Sequence, residues 1–476
     1  MIVTIETGQI GFTAKRCEVA AVQKEKLIRD YTVGSIPRQL FTFMLPFMLS
    51  NALQVMYSVV DMIIVGQYVG STGLAAVSQG SVIINLLTML CLGFSTAGQT
   101  IISQLIGAGR REELGRVIGT LFAAVFLLCV VVTTPVLLGR RVLMSWMNLT
   151  GEARELTLQY LVICGFGMVF TSAYNSISSI LRGMGDSRHP FLFIALASVL
   201  NLIFDIVLTG WLDMGVVGAA IATVFGQAVS VVASLLFLKR HQREFGFDFR
   251  LSGFRLDKDY FRQIAKMGIP FSLQTCSVNI SMVFVNSFVN QVGVTATATF
   301  GVGLKLDDIC NKLTMGVQYA AAPMVGQNMG AGKHERVKSV VYWTWILCGI
   351  VAALFVACYL LFGREMFALF TNDDAVLELS SVFIQGILWS FPAMAIMRGT
   401  NALLQGTGGS LWLMSFAFID ATLRISLSYL IGIVGGMGFF GYVFGYGLSA
   451  LGIAVPGSIY FFSGVWKKKK LAIARK

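Results

Sequence analysis

Long apolar stretches, separated by short polar segments, follow one another along almost the whole chain. About twelve of them have 18 or more residues, which is long enough for a helix to cross a bilayer core of about 30 Å. They cover residues 39–66, 74–103, 117–139, 156–181, 189–211, 215–238, 263–291, 296–325, 338–362, 377–403, 411–433 and 440–465. The pattern predicts an all-α polytopic membrane protein with about 12 transmembrane helices.

Two segments in different halves of the chain carry nearly the same sequence. Residues 92–109 read LGFSTAGQTIISQLIGAG, and residues 315–332, at an offset of 223, read MGVQYAAAPMVGQNMGAG. At the same offset, residues 181–187 (LRGMGDS) align with residues 404–410 (LQGTGGS). Six predicted spans fall on each side, so both halves enter the membrane in the same direction. We expect two six-helix lobes related by an internal parallel repeat, with a transport site between them.

The composition is typical of a chain that lies mostly within a membrane. Hydrophobic residues make up 56% of the sequence, charged residues 13%, and the mean hydropathy is +0.75. The eight cysteines are scattered without a CxxC pair, and the sequence contains no HExxH, GxSxG or nucleotide-binding loop. We therefore expect neither an enzyme nor a bound cofactor, and no metal site beyond one for a coupling Na⁺.

The net charge of +12 comes from basic residues that gather on one side of the predicted membrane. With the N-terminus inside, most of the 36 Lys and Arg fall in cytoplasmic segments, in agreement with the positive-inside rule. The charge is spread over loops and no recognition module is present, so no nucleic-acid partner is expected. The predicted division is a cytoplasmic N-terminal segment, an N-lobe, a cytoplasmic linker, a C-lobe and a basic cytoplasmic tail, at residues 1–35, 36–238, 239–262, 263–465 and 466–476.

Four oxygen-bearing side chains of the first half are candidates for a cation or proton site: Asp61, Asn201, Asp205 and Thr223. Asn201 and Asp205 are four residues apart, so they share one face of a helix. Counted from the predicted turns at about 1.5 Å per residue, Asp61, Asp205 and Thr223 lie at a similar depth in the outer third of the membrane. Carboxylates inside a bilayer are costly and are typical of ion pathways. Two of them close together can share a proton, and with an amide and a hydroxyl they also suit Na⁺.

The second half carries a different set of charged residues within predicted spans: Lys305, Asp307, Asp308, Lys312, Arg398, Asp420 and Arg424. Lys305, Asp308 and Lys312 have the three- and four-residue spacings that favour ion pairs along one helix face. Asp420 and Arg424 are also four residues apart. We interpret this set as a secondary or structural polar cluster, so that the unpaired acids are concentrated in the N-lobe.

Pro46 lies on the same predicted span as Asp61. A proline removes one backbone donor from a helix and permits a bend. We therefore predict a hinge at Pro46, through which Asp61 shifts with its own helix when it binds a proton.

Several motifs, in their order and spacing, resemble the MATE (multidrug and toxic compound extrusion) family from residue 36 to about residue 462. The motifs are Leu45-Pro46, Val60-Asp61, residues 104–109 (QLIGAG), residues 181–186 (LRGMGD), Asn201-x-x-x-Asp205, residues 215–223 (GVVGAAIAT) and residues 323–332 (PMVGQNMGAG). The resemblance implies a twelve-helix, two-lobe transporter.

In the family's prokaryotic DinF-like branch, the N-lobe cation site uses an Asp of helix one, an Asn and an Asp of helix five and a Thr of helix six. Asp61, Asn201, Asp205 and Thr223 fall on those positions. A related branch has its main cation site in the C-lobe and uses acids of helices seven and ten. The seventh predicted span, residues 263–291, carries no acid here, which favours coupling through the first lobe.

The resemblance further implies a secondary antiporter of the bacterial inner membrane that functions as a monomer. It would export amphipathic, cationic drugs or other toxic organic compounds in exchange for H⁺ or Na⁺, so that its partners are small amphipathic molecules and the lipid bilayer. A flippase for an anionic lipid or a polyprenyl-linked precursor stays open as an alternative. Such a substrate requires unpaired bases, for which Lys305, Arg398 and Arg424 are candidates.

Overall fold

The computed structural model describes residues 28–147, 149–245, 247 and 253–469, which form a bundle of helices. In chain order the α-helices are α1 Ile36–Tyr68, α2 Gly70–Gly107, α3 Leu114–Leu138, α4 Arg140–Trp146, α5 Gly151–Gly183, α6 Arg188–Phe204, α7 Gly215–Arg240, α8 Gln242–Phe245, α9 Lys258–Asn290, α10 Val294–Gly330, α11 His334–Ala368, α12 Asp374–Ile387, α13 Ser390–Gly406, α14 Ser410–Tyr429, α15 Gly438–Leu448 and α16 Leu451–Phe462. Two π-helical segments, Asp205–Trp211 and Leu430–Val434, continue α6 and α14.

Ten helical spans in the described part of the chain are long and apolar enough to cross a membrane. The helices α12 and α13 together form an eleventh, with a bend of 50° between them. The remaining predicted span, residues 296–325, lies within α10, which is 37 residues long. Its charged residues lower its hydropathy, although it is longer than α9 and α11 beside it, which have 33 and 35 residues. The prediction of an all-α polytopic membrane protein is confirmed.

The two halves of the chain meet where the repeated G-A-G segments cross. A methyl group added at Gly107 would lie 1.9 Å from the carbonyl oxygen of Gln327, and one added at Gly330 would lie 2.1 Å from that of Gln104. Gly107 and Gly330 are equivalent positions of the repeat, as are Gln104 and Gln327, so α2 and α10 cross on the axis that relates the lobes. Small residues allow helices to approach this closely. We call this end of the bundle the closed end.

Apolar packing joins the two lobes at the closed end and separates them at the opposite end. One core cluster combines residues of both halves, such as Ile101 and Leu105 with Val317 and Val325. The other core clusters of the described residues each belong to one half, either before residue 221 or after residue 284. At the end where α1 finishes and α10 begins, which we call the open end, the lobes therefore have separate cores and a cleft between them.

Residues 28–35, which we call the N-terminal strap, cross the closed end from one lobe to the other. In the N-lobe, the Tyr31 hydroxyl donates to the carbonyl oxygen of Gly185 at 2.8 Å. In the C-lobe, the backbone N–H of Tyr31 donates to Oε1 of Gln327 at 2.8 Å, and the Arg336 guanidinium donates to the Tyr31 carbonyl oxygen at 3.1 Å. The strap thus holds the two lobes together below the crossing of α2 and α10.

The described parts of the predicted linker and tail also pack on the closed end. Phe247 of the linker contacts Phe122 of α3, with ring centroids 6.2 Å apart. Trp466 of the tail is fully buried, and Lys469 donates from Nζ to the carbonyl oxygen of Gly408 at 2.5 Å. Burial, together with the nearby charge of Lys266, lowers the pKa of Lys469 to about 8. The remaining parts of the predicted N-terminal segment, linker and tail lie outside the described residues, at residues 1–27, 246, 248–252 and 470–476.

Candidate cation site

Asp61, Asn201, Asp205 and Thr223 come together in the N-lobe, where α1, α6 and α7 meet. Nδ2 of Asn201 donates to Oγ1 of Thr223 at 3.5 Å. The side chains of Asp61 and Asp205 are close enough for their carboxyl groups to interact. Asp205 is 1% exposed and Asn201 is 6% exposed. The structure therefore brings together the four residues that were predicted, from their spacing and their depth in the membrane, to form one site.

Close packing of α6 against α7 holds these side chains in place. A methyl group added at Gly226 would lie 2.8 Å from the carbonyl oxygen of Ala197 and 3.3 Å from Cβ of Asn201. The α-helix also changes to a π-helix at Asp205. A π-helical turn widens the helix and is frequent at functional sites. Glycine on one helix and the wider turn on the other thus let Asn201 and Asp205 face Thr223.

Tyr57 and Gln227, which were not predicted from the sequence, belong to the same site. Both line a small cavity together with Asn201 and Thr223. The space for the centre of a water molecule in this cavity is about 10 Å³, which admits about one water or small ion. Tyr57 precedes Asp61 by four residues, and Gln227 follows Thr223 by four. The four-residue spacing that linked Asn201 to Asp205 was therefore also the signal for these two residues.

The site contains buried oxygen atoms without a hydrogen-bond donor. Among the described residues, none donates to Oδ1 of Asp61, to either carboxyl oxygen of Asp205 or to Oε1 of Gln227. A buried acceptor without a partner costs about 1–3 kcal/mol. A proton on one carboxyl group would supply a donor, and a Na⁺ would be coordinated by the same oxygens. The residues present therefore fit either coupling ion.

A polar network occupies the C-lobe around Asp307, which is 5% exposed. Oδ2 of Asp307 accepts hydrogen bonds from the Tyr446 hydroxyl and from Nδ2 of Asn311, both at 2.8 Å. The Arg398 guanidinium donates to Oδ1 of Asn311 at 2.7 Å and to Oε1 of Gln318 at 3.2 Å. Asp307 and Arg398 are thus linked through the Asn311 amide and not by a direct ion pair.

Asp420 and Arg424 form the ion pair that their spacing predicted. NH2 of Arg424 lies 2.6 Å from Oδ2 of Asp420, and both side chains are buried. Arg424 also donates from NH1 to Oγ of Ser281 at 2.9 Å and lies over the Tyr446 ring. At the repeat offset of 223, Arg424 is equivalent to Asn201 and Tyr446 to Thr223. A fixed guanidinium therefore occupies the C-lobe position that corresponds to the N-lobe cation site.

The predicted ion pairs of Lys305, Asp308 and Lys312 are not formed. Lys305 and Asp308 are exposed and Lys312 is half-buried, and the described residues place no opposite charge within 4.0 Å of any of them. The backbone oxygen of Lys312 accepts a hydrogen bond from Asn51 of the N-lobe at 2.8 Å. This face of α10 is therefore directed into the cleft between the lobes. Exposed ion pairs contribute little stability there, because water solvates each charge separately.

Pro46 lies inside α1, which is one continuous helix from Ile36 to Tyr68. Oγ of Ser50 donates to the Pro46 carbonyl oxygen at 2.8 Å. The structure thus shows Pro46 in an unbroken helix, and its role as a hinge stays a prediction.

Comparison with known proteins identifies the family to which this arrangement belongs. The MatE family model matches residues 46–207 and again residues 270–430, with one match in each lobe. The chain belongs to the MatE family. The double match agrees with the internal repeat, and the expectation of a transporter and not an enzyme is confirmed.

The relatives of this MatE chain align over nearly their whole length. The probable multidrug resistance protein YpnP of Bacillus subtilis is 27% identical over 93% of this chain and 98% of its own, and YoeA of the same species is 25% identical over 92% and 96%. The multidrug export protein MepA of Staphylococcus aureus is 22% identical over 87% and 91%. The bacterial relatives and the membrane-spanning helices support the expected location in a bacterial plasma membrane.

Solved structures share the fold. A multidrug resistance MATE family transporter of the MOP superfamily, in an outward-facing conformation, aligns with a TM-score of 0.85 at 23% identity and covers 94% of this chain and 99% of its own. A MOP superfamily transporter from Pyrococcus furiosus aligns with the same score, identity and coverage. The neighbours have the twelve-helix fold that the sequence predicted.

Proposed function

We propose that the protein is a secondary antiporter that exports amphipathic organic compounds in exchange for H⁺ or Na⁺ by alternating access. The observation that carries the proposal is the pair Asp61 and Asp205, in which three buried carboxyl oxygens lack a donor among the described residues. The multidrug export and resistance names of the relatives support drugs or other toxic organic compounds as substrates. The charge bias of the sequence supports a cytoplasmic closed end, with both termini inside.

The coupling ion acts by reducing the negative charge of the two carboxylates. At a membrane potential of −100 mV, the entry of one positive charge releases about 2.3 kcal/mol of free energy, which can drive export. Without the ion, two facing carboxylates repel each other and favour a hydrated, open site. Binding of H⁺ or Na⁺ neutralises them, so that α1, α6 and α7 can pack without water between them.

Helix α1 connects this site to the interface between the lobes. Asn51 of α1 donates from Nδ2 to the Lys312 carbonyl oxygen of the C-lobe at 2.8 Å. Asp61 lies ten residues farther along the same helix, a distance of about 15 Å at the rise of an α-helix. Pro46 lies between Asn51 and the closed end. A change of packing at Asp61 is therefore transmitted along α1 to the contact between Asn51 and Lys312. This contact joins the two lobes, so we expect it to change when the cleft opens or closes.

Transport by purified protein in liposomes tests the proposal. Asp205→Asn keeps the size of the side chain but cannot bind a proton, and we expect it to abolish export driven by a pH or Na⁺ gradient. Asp374→Asn is the matched control, because the Asp374 side chain is 88% exposed and lies at the open end of the C-lobe, away from the cation site. Export at the wild-type rate by a folded Asp205→Asn protein would exclude coupling through this site.

Distance measurements test the alternating movement of the lobes. Labels at Gln67 and Val292, on the open ends of different lobes, should approach when the cleft closes. Labels at Gln67 and Leu212, both in the N-lobe, should move less. If the first distance stays fixed while transport proceeds, the lobes do not rock against each other and bending of α1 becomes the better mechanism.

A further inference from the structure

Two arginines that the coupling site does not use lie within the bundle, one in each lobe. Arg182 is on α5 and Arg398 is on α13, and both side chains are only partly exposed. Neither has a carboxylate within 4.0 Å among the residues that the structure describes. A buried charge without a partner is costly, and in membrane segments such residues are usually functional.

Among the described residues, the groups that hold the Arg182 guanidinium in place are neutral. Its Nε donates to Oε1 of Gln99 at 3.0 Å and its NH2 donates to Oγ of Ser179 at 2.7 Å. The guanidinium carbon lies 5.6 Å from the centre of the Tyr319 ring, which belongs to the C-lobe. The positive charge of the N-lobe arginine is therefore presented to the opposite lobe.

Arg398 has the same kind of surroundings in the C-lobe. It donates to the amide oxygens of Asn311 and Gln318, and its Nε is buried without an acceptor among the described residues. A guanidinium has five N–H donors, and these two bonds leave most of them free. Asp307 compensates Arg398 only through the intervening Asn311 amide, as described above.

The two guanidinium groups contact consecutive residues of α10. Gln318, which accepts a hydrogen bond from Arg398, directly precedes Tyr319, over whose ring Arg182 lies. Immediately towards the closed end, Oγ1 of Thr100 donates to the Gln405 carbonyl oxygen of the other lobe at 3.0 Å. The arginines thus lie at the bottom of the cleft, just above the contacts that close it.

We propose that Arg182 and Arg398 form a binding site, at the bottom of the cleft, for the acidic group of an amphipathic ligand. A carboxylate, sulfonate or phosphate would accept hydrogen bonds from guanidinium groups, which match these groups in geometry. The Tyr319 ring, which lies beside Arg182, provides an apolar surface for the rest of the molecule. The site extends the proposed function from cationic substrates to amphiphiles that carry an acidic group.

A pair of fluorescent probes of related structure tests this site. 1-Anilinonaphthalene-8-sulfonate carries a sulfonate on the ring system of N-phenyl-1-naphthylamine, which is neutral. Both are titrated into protein in nanodiscs of phosphatidylcholine, with empty nanodiscs subtracted and no ion gradient present. Arg182→Gln and Arg398→Gln should each weaken binding of the sulfonate about tenfold or more, because each removes a charged hydrogen-bond donor. Binding of the neutral probe should change little.

Three further variants make the outcome decisive. Arg364→Gln removes a 63% exposed arginine at the open end of the C-lobe and should leave the binding of both probes unchanged. Arg182→Lys and Arg398→Lys keep the charge, so they should recover part of the sulfonate affinity and provide folded proteins if the Gln variants unfold. Equal losses for both probes, or Lys variants that fold normally and bind the sulfonate no better than Gln variants, would overturn the proposal.

The source of the acidic group is determined by changing the lipid. If the natural occupant is a lipid headgroup, adding phosphatidylglycerol to the nanodiscs should weaken binding of the sulfonate to wild type but not its residual binding to Arg182→Gln. If it is a soluble amphiphile, phosphatidylglycerol should not compete. The inference rests on the cleft of the proposed exporter but not on its coupling ion. Asp205→Asn should therefore bind the sulfonate normally, which separates failure of this site from failure of antiport.

Discussion

The crossing of α2 and α10 gives a prediction about the balance between the two transport states. An alanine at Gly107 would place its methyl group 1.9 Å from the Gln327 carbonyl oxygen. Real contacts of this kind are not shorter than about 3.0 Å, so the helices must separate by about 1 Å. The obstructing atom belongs to the backbone, and no side-chain rotation can relieve the contact. The substitution therefore acts directly on the contact that closes this end.

The size of the effect follows from the cost of overpacking. Extra methyl groups in well-packed interiors cost about 1–3 kcal/mol. Under alternating access this cost applies only to the state in which Gly107 touches Gln327. The equilibrium between states should then shift about 5- to 150-fold towards the state with a separated closed end.

Spin labels at Glu112 and Glu335, on the closed ends of the two lobes, measure this shift in a background without reactive cysteines. Gly107→Ala should add a population with a longer distance between labels, and Gly330→Ala should do the same because its contact is equivalent. Gly349→Ala is the control, because an added methyl group there has no atom within 4 Å. Identical distance distributions for Gly107→Ala and Gly349→Ala would refute the reasoning.

Three other outcomes are expected from the network of polar contacts. Asp61→Asn and Asp205→Asn should each abolish proton release on Na⁺ or drug binding, because the two carboxyl groups act as one unit; release equal to that of wild type in both single variants would place the site elsewhere. Asp420→Asn should reduce stability by about 3–5 kcal/mol, because it leaves a buried arginine unpaired, whereas Asp308→Asn should change the thermal unfolding temperature little. Tyr31→Ala should increase labelling of cysteines at the closed end, because it removes the hydroxyl bond of the strap to the N-lobe; unchanged labelling would show that the strap does not restrain opening.

Hydrophobic patterning and duplication were sufficient to predict most of the fold. Apolar runs located the spans, and the repeated segments indicated two equivalent lobes. The crossing of α2 and α10 at the repeated glycines was not predicted, because it depends on how the two lobes pack against each other. Counting residues from predicted turns also placed Asp61, Asp205 and Thr223 at one depth. Helical rise is regular enough for such a count, so the grouping in the N-lobe could be predicted.

Contacts across the lobes could not be predicted from local spacing. The positions of Lys305, Asp308 and Lys312 fit ion pairs on one helix, but their helix face lies on a cleft whose existence depends on how two lobes pack. The strap posed the same difficulty, since the partners of Tyr31 lie about 150 and 300 residues away in sequence. Arg182 was overlooked because its significance arises from Tyr319 of the other lobe.

Arg424 has a consequence for the stoichiometry of exchange. Gene duplication produces two lobes that begin with equal sites, and a symmetrical transporter could move ions through both. Here the second lobe has a guanidinium attached to its own backbone at the place of a mobile ion, and such an ion cannot dissociate. Under the proposed mechanism only the first lobe exchanges ions with the solution, so the number carried per cycle is limited to what Asp61 and Asp205 can bind together. The duplicated chain would therefore work as one ion-exchanging lobe paired with one that is permanently loaded.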